Sequence, residues 1–191
     1  MGSAARKPRL SAEDWVEAAL DALVEEGGDA VRIERLCTRL GVTKGSFYWH
    51  FKGRDALVQA MVEHWAEAQP QAVVTALAEL DAGPLTKLER VLAEVARRGI
   101  GRRDHAMRVW AESDERAKSA IRAADKRVLS MIEGLLRELG LCESEAFTWS
   151  RTLFFTGIGV FAAPHALGKT STRSFAAQML QLVSSHAGEK P

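Results

Sequence analysis

The reading turns on the stretch Thr43-Lys44-Gly45-Ser46-Phe47-Tyr48-Trp49-His50-Phe51-Lys52. Phe47 and Phe51 lie four residues apart and share one face of a helix. Tyr48 and Trp49 cannot both join them, because successive helical residues are turned by about 100°. At least one of these large aromatics faces solvent, where it needs a partner or a reason. Just upstream, residues 31–39 with Leu40 place Ile33, Leu36, Cys37 and Leu40 at helical spacing. Gly41-Val42 separates that helix from the next, expected over about residues 44–50 with Thr43 as its cap. Two short helices joined by so tight a turn have the sequence form of a helix-turn-helix, whose second helix enters the DNA major groove.

The charge pattern agrees with that form. The whole chain is nearly neutral, with 26 bases and 25 acids in 191 residues, which by itself argues against a generic nucleic-acid binder. Residues 30–54, however, hold six bases against one acid: Arg32, Arg35, Arg39, Lys44, Lys52 and Arg54 against Glu34. Residues 1–10 add Arg6, Lys7 and Arg9 with no acid. Positive charge is thus focused in two short segments, as phosphate binding requires. The residue types of the second helix suit the same task. Lys44 and Lys52 are positive at its two ends, Thr43 and Ser46 donate to phosphates or base edges, and Gly45 permits close approach. Tyr48 and His50 can bind phosphate oxygens, and Trp49 can pack on a thymine methyl or a sugar. With Arg32 from the basic segment, these nine residues form the candidate DNA-binding set.

Working outward, the chain reads as helical throughout, with no alternating β-branched runs. Ser11 with Asp14 starts a first helix carrying Trp15, Val16, Ala19, Leu20 and Leu23, which ends at Gly27-Gly28. A longer helix begins near residue 54, with Leu57, Val58, Met61, Val62 and Trp65 on one face, and Pro70 is expected to kink or interrupt it. Further helices are expected at about 84–98, 103–112, 114–139, 143–163 and 171–187. The organisation expected is a disordered basic arm over residues 1–10, a helix-turn-helix domain over 11–54 and a helical domain over 55–191.

The stretch Ile33 to Leu57 resembles the DNA-binding domain of tetracycline-repressor-type (TetR family) transcriptional regulators. Gly45-Ser46-Phe47-Tyr48-Trp49-His50-Phe51 is its most specific part. The motif region covers about residues 11–65. The resemblance implies an all-α fold, with an N-terminal three-helix DNA-binding domain and a C-terminal ligand-binding and dimerisation domain. It implies a homodimer on double-stranded DNA with a near-palindromic operator, and repression relieved by a small molecule. By position, Thr43, Tyr48, His50 and Lys52 match phosphate-contacting residues, and Lys44, Gly45, Ser46 and Trp49 match residues near bases. Gly53-Arg54-Asp55 departs from the usual small polar residue followed by lysine, which leaves open the side chain that supplies that charge.

The helix at about 143–163 is apolar nearly all round, so more than one of its sides must be covered. With the last helix it could form a four-helix dimer interface, and Gly157 and Gly159 would permit close approach. An effector pocket between the helices of residues 84–163 has Met107, Trp110, Phe147 and Phe154 as its candidate lining, with His105, Trp149, Phe155 and His165 as further candidates. No dense charge cluster stands within the apolar helices, which favours a neutral or hydrophobic effector. Arg97, Arg98, Arg102, Arg103 and Arg108 form a basic stretch to which no function is assigned.

Other classes fit less well. The chain contains no GxSxG, Walker loop, HExxH or CxxC, so an enzyme is not expected. No two of the five histidines lie at i and i+4, and the two cysteines, Cys37 and Cys142, are far apart, so neither a metal nor any other cofactor is expected. No apolar run approaches the ~18 residues that cross a bilayer, and the cytoplasm is the expected compartment. A DNA-binding or protein-binding helical scaffold without a ligand switch remains the alternative.

Overall fold

The computed structural model describes residues 10–78, 82–97 and 100–188, with side chains except at 69–78, 92–97 and 100. Most of the arm expected over residues 1–10, and Arg98 of the basic stretch, lie outside the described residues, as does the side chain of Arg97. Among the described residues the structure is helical, with no strand. The helices are α1 (Ala12–Glu26), α2 (Ile33–Leu40), α3 (Lys44–Tyr48), α4 (Arg54–Ala78), α5 (Pro84–Arg97), α6 (Ile100–Ala111), α7 (Glu115–Glu138), α8 (Glu143–Ala162) and α9 (Thr172–Gly188). The chain divides into two compact units, Met1–His64 and Trp65–Pro191, so the division falls between His64 and Trp65, further along α4 than its start near residue 55. The reason is burial: Leu57, Val58 and Met61 of the first turns of α4 are fully enclosed.

In the N-terminal unit, α1 begins with a reciprocal cap. The Asp14 N–H donates to Ser11 Oγ at 3.1 Å, and the Ser11 N–H donates to the Asp14 carboxylate at 2.7 Å. Two of the helix's unpaired N–H groups are thereby satisfied. Trp15, Val16, Ala19, Leu20 and Leu23 are buried, as their spacing requires. Gly41, in the left-handed conformation, closes α2. Its N–H reaches Thr38 O and that of Val42 reaches Cys37 O, which redirects the chain into α3 within two residues. On α2 only Leu36 and Cys37 are fully buried, whereas Ile33 and Leu40 are half-buried.

Two sequence expectations are corrected. Thr43 occupies the cap position of α3, but its side chain makes no capping hydrogen bond, and the turn closes through the Ser46 N–H to Thr43 O instead. Pro70 does not interrupt α4, which runs from Arg54 to Ala78. Proline removes one backbone donor, and the turns on either side carry the helix past it.

In the C-terminal unit, α7 packs on α8 and α6, and α5 packs on α9 and α7. Leu88, Leu135, Leu136, Leu153, Leu180 and Val183 form the heart of its core. Asp114 caps α7, its carboxylate accepting the N–H groups of Arg116 and Ala117 at 3.0 and 3.3 Å. Among the described residues no helix is long and apolar enough to cross a membrane.

Candidate nucleic-acid interface and internal cavity

The outer face of α3 depends on what lies beneath it. Phe47 is fully buried, and its ring meets Trp15 edge-on at 5.2 Å and Phe51 at 5.5 Å. These two phenylalanines fix the rotation of the short helix. Tyr48 and Trp49 are then turned outward, 57% and 75% exposed. Tyr48 keeps an edge contact with Phe47 at 5.4 Å. Thr43, Lys44, Gly45 and Lys52 are exposed beside them, while Ser46 and His50 are half-buried. A Cβ placed on Gly45 would meet only Thr43 Oγ1 at an ordinary 3.6 Å, so no neighbour within the chain demands glycine there. The structure therefore gathers eight of the nine candidate DNA-binding residues on and around α3. Arg32 stands apart at the start of α2, exposed and 3.0 Å from the Asp29 carboxylate.

The basic segment is less free than its charge count suggests. Arg35 pairs with Glu26 at 3.2 Å, and both guanidinium ends of Arg39 bind the Glu25 carboxylate at 2.8 and 2.9 Å. Lys44 Nζ donates to Glu34 Oε1 at 2.6 Å. That hydrogen bond holds the Glu34 carboxyl below its ordinary range and the Lys44 ammonium above its own. With Arg32 on Asp29, four of the six bases meet an acid, and three of those acids belong to the end of α1 or the turn after it. Arg54 Nε donates to the Val31 carbonyl at 2.7 Å, tying the start of α4 to the loop before α2. This bond explains an arginine at the position where the motif departs from its family pattern.

The C-terminal unit contains a partly open cavity of about 170 Å³ lined by α5, α6, α7, α8 and α9. Its wall is mainly aliphatic and aromatic, with Leu88, Met131, Phe154, Phe161, Phe175 and Met179 among its members. Of the four residues expected to line a pocket, Phe154 does so. Met107 and Trp110 are instead buried in packing away from the wall, and Phe147 is 52% exposed with the Arg151 guanidinium 3.4 Å from its ring centre. His105, Trp149, Phe155 and His165 are not on the wall either.

The premise that the apolar helices hold no charge cluster also fails. Asp104 and Arg108 of α6 meet Asp125 of α7 on the cavity wall. Arg108 Nε and Nη2 donate to Asp104 at 2.7 and 3.3 Å, and Nη1 and Nη2 donate to Asp125 at 3.0 and 2.6 Å. The guanidinium lies 5.6 Å from the centre of the Phe154 ring. Burial works against the Arg108 charge, but the hydrogen bonds to Asp125 and Asp104 outweigh it and hold its pKa above the ordinary range. For Asp104 burial is the stronger influence and pushes its carboxyl up despite Arg108. The i, i+4 spacing of Asp104 and Arg108 was a readable signal. Asp125, 17 residues further on, had none. Among the described residues no group of three His, Cys, Asp or Glu side chains is placed to hold a metal.

Comparison with known proteins agrees with this geometry. Residues 16–61 match the family described as bacterial regulatory proteins, tetR family. The chain is 40% identical over 55 residues to the tetracycline repressor protein class A from transposon 1721 of Escherichia coli. It is 34% identical over 62 residues to the HTH-type transcriptional regulator SrpR of Pseudomonas putida. These matches cover 29% and 30% of this chain, and only 26% and 29% of those relatives. Solved structures extend the likeness in fold. A transcriptional regulator from Rhodococcus sp. Rha1 superposes with a TM-score of 0.76 at 17% identity, covering 95% of this chain and 100% of that one. A putative transcriptional regulator from Saccharomonospora viridis, in complex with choline, gives a TM-score of 0.70 at 14% identity, covering 94% and 96%. Residues 16–61 thus carry the motif of the tetR family of bacterial regulatory proteins, on a fold similar along nearly the whole chain to these solved structures.

Proposed function

We propose that the protein is a sequence-specific DNA-binding regulator that represses as a homodimer and is released from its operator by a small molecule. The observation that carries this reading is the division of the α3 aromatics. Phe47 and Phe51 anchor the helix, while Tyr48 and Trp49 stand exposed among Thr43, Lys44 and Lys52. Such a face offers donors, positive charge and apolar surface together, the chemistry of a major-groove reader. In a homodimer the two copies of α3 would read half-sites about 34–36 Å apart. The exposed Phe147, Phe155 and Leu182 on α8 and α9 support a second copy as the cover for those helices. Openness at the exposed Gly159, where nothing lies within 4 Å of an added Cβ, fits close approach of that copy, whereas Gly157 lies on the cavity wall. The cavity supplies room for an effector, and α4 carries the chain from one unit into the other. A ligand there shifts the DNA-binding equilibrium only by its difference in affinity for the two states.

The test is selection of bound duplexes from a random library at physiological salt, with Tyr48→Ala as control. An enriched inverted repeat, lost in the variant, is the expected result. No enrichment by folded, dimeric protein would overturn the reading. The alternative, a helical scaffold without a switch, draws on the four ion pairs that occupy the basic segment. It predicts a salt-sensitive binder with no site preference, whereas a regulator keeps a preference of about 10³-fold or more.

A further inference from the structure

Gly101 and Phe161 meet on the cavity wall. Gly101 belongs to the first turn of α6 and Phe161 to the last turn of α8. A Cβ added at Gly101 would collide with Cδ2, Cε2 and Cζ of the Phe161 ring. Carbon atoms in ordinary contact stand about 3.5–4.0 Å apart, so the ring lies as close to the helix backbone as glycine allows. It has α6 against it and no room to withdraw in that direction. Phe161 is half-buried, with the buried Gly101 as its seat.

Other parts of the wall are softer. Met131 of α7 and Met179 of α9 also line the cavity, and both are half-buried. A methionine side chain is unbranched, turns about several bonds and fills whatever gap its neighbours leave. A ligand that presses on these residues moves them at little cost. A ligand that presses on Phe161 must force the ring into a backbone, and a close-packed contact resists that. The wall therefore has a fixed stop at Phe161 and a yielding side at the methionines. Phe154 and Phe175 bring further rings to the same wall. Such rings pack best on a flat partner, offset or edge-on, at about 4.5–7 Å between centres.

We propose that the cavity takes a small molecule with a flat apolar body, and that Phe161, seated on α6 at Gly101, is the residue that sets the size of that body. The proposal rests on reading the cavity as the effector site and deepens it to a ligand class and a specificity residue. The volume gives the scale. A cavity of about 170 Å³ is slightly larger than the ~150 Å³ that accepts a benzene ring. A single ring fits within it, and a fused pair would have to displace part of the wall.

The test uses the full chain and two uncharged flat probes, toluene and naphthalene. Binding is followed by titration calorimetry at a temperature where circular dichroism shows each variant folded. Wild type is expected to bind toluene about tenfold or more tightly than naphthalene. Phe161→Leu should shift that ratio about tenfold toward naphthalene, whereas Met131→Ala, on the yielding side, should shift it about threefold or less. Gly101→Ala should weaken toluene about tenfold by pressing Cβ and ring into the space, and adding Phe161→Leu should recover most of that loss, as for two residues in contact. Naphthalene bound by wild type as tightly as toluene, equal shifts from Phe161→Leu and Met131→Ala, or unchanged toluene binding in Gly101→Ala overturns the fixed stop while leaving the cavity as an effector site. Failure of both probes to bind folded wild type overturns both readings. Should Gly101→Ala fail to fold, the ratios of wild type, Phe161→Leu and Met131→Ala decide.

Discussion

Removing the ring of Phe47 and removing the ring of Trp49 should have opposite consequences, although the two residues are separated by one position. Phe47 is fully enclosed and stacks edge-on against Trp15. Burial of about 200 Å² at roughly 25 cal/mol per Å² contributes about 5 kcal/mol, in line with the ~3–5 kcal/mol measured for buried Phe→Ala changes. A unit ending at His64 has a total stability of about 3–10 kcal/mol. Phe47→Ala should therefore bring that unit close to unfolding. Trp49 is 75% exposed. A quarter of about 250 Å² gives at most about 1.5 kcal/mol by the same coefficient. The proposed contacts of its ring with a base or sugar are worth about 1–3 kcal/mol of DNA affinity, roughly tenfold to a hundredfold. Urea unfolding followed by far-UV circular dichroism measures the first quantity, and fluorescence anisotropy of labelled duplex at one fixed salt measures the second. The reasoning fails if Trp49→Ala destabilises the fold as much as Phe47→Ala, or if Trp49→Ala binds DNA like the wild type.

Three further outcomes follow from named contacts. Glu34→Gln releases Lys44 from an exposed ion pair, so the urea midpoint should stay as in the wild type while duplex affinity rises about threefold at about 50 mM salt and less at 200 mM. An equal rise at both salts, or none, in anisotropy titrations would show that the pair does not restrain Lys44. Asp114→Ala should cost about 1 kcal/mol near pH 7 by uncapping α7. The Arg116 side chain first, then the capped N–H groups, hold the Asp114 carboxyl below its ordinary range against the effect of burial, so this stabilisation is present above about pH 4 and is lost as pH falls through the folded-state value. Urea midpoints of variant and wild type should accordingly converge in acid, and a constant gap would falsify the capping account. Gly101→Ala should lower the thermal midpoint, because overpacking against Phe161 costs about 1–3 kcal/mol and exceeds the ~1 kcal/mol helix-propensity gain; a higher midpoint would mean that the ring yields freely.

Legibility in the sequence divides along one physical line, between features set within a turn or two of helix and features set by residues that meet from far along the chain. The reciprocal cap of Ser11 and Asp14 is three residues wide, and it forms as the sequence suggests. The outward turn of Tyr48 and Trp49 follows from helix geometry once Phe47 and Phe51 are committed to the core. Even at short range, residue type does not settle geometry. Thr43 stands where a cap should, yet its hydroxyl makes no capping bond, because a five-residue helix is closed by backbone bonds and held by the burial of Phe47. The basic segment belongs to the second kind of feature. Counting charge along residues 30–54 sees Arg35, Arg39 and Lys44 as a patch, but the fold lays two of them against Glu26 and Glu25 and the third against Glu34, ten residues away.

The cavity lies at the far end of the same line. Five helices supply its wall, and each gives it one side of an apolar surface whose other side serves the core or faces outward. On α8 this made Phe147, Phe154 and Leu153 indistinguishable by composition. The structure sends Phe147 to the surface, Phe154 to the cavity and Leu153 to the core side of the wall. Arg108 was equally ambiguous, one of five arginines in a stretch that reads as solvated. Its difference from the others is Asp125, brought to it by the packing of α6 on α7. A buried, doubly bonded arginine beside a cavity is a costly arrangement unless each charge is satisfied. The cluster of Asp104, Arg108 and Asp125 is therefore a feature of the cavity wall that neither a window of sequence nor the family motif of residues 16–61 contains.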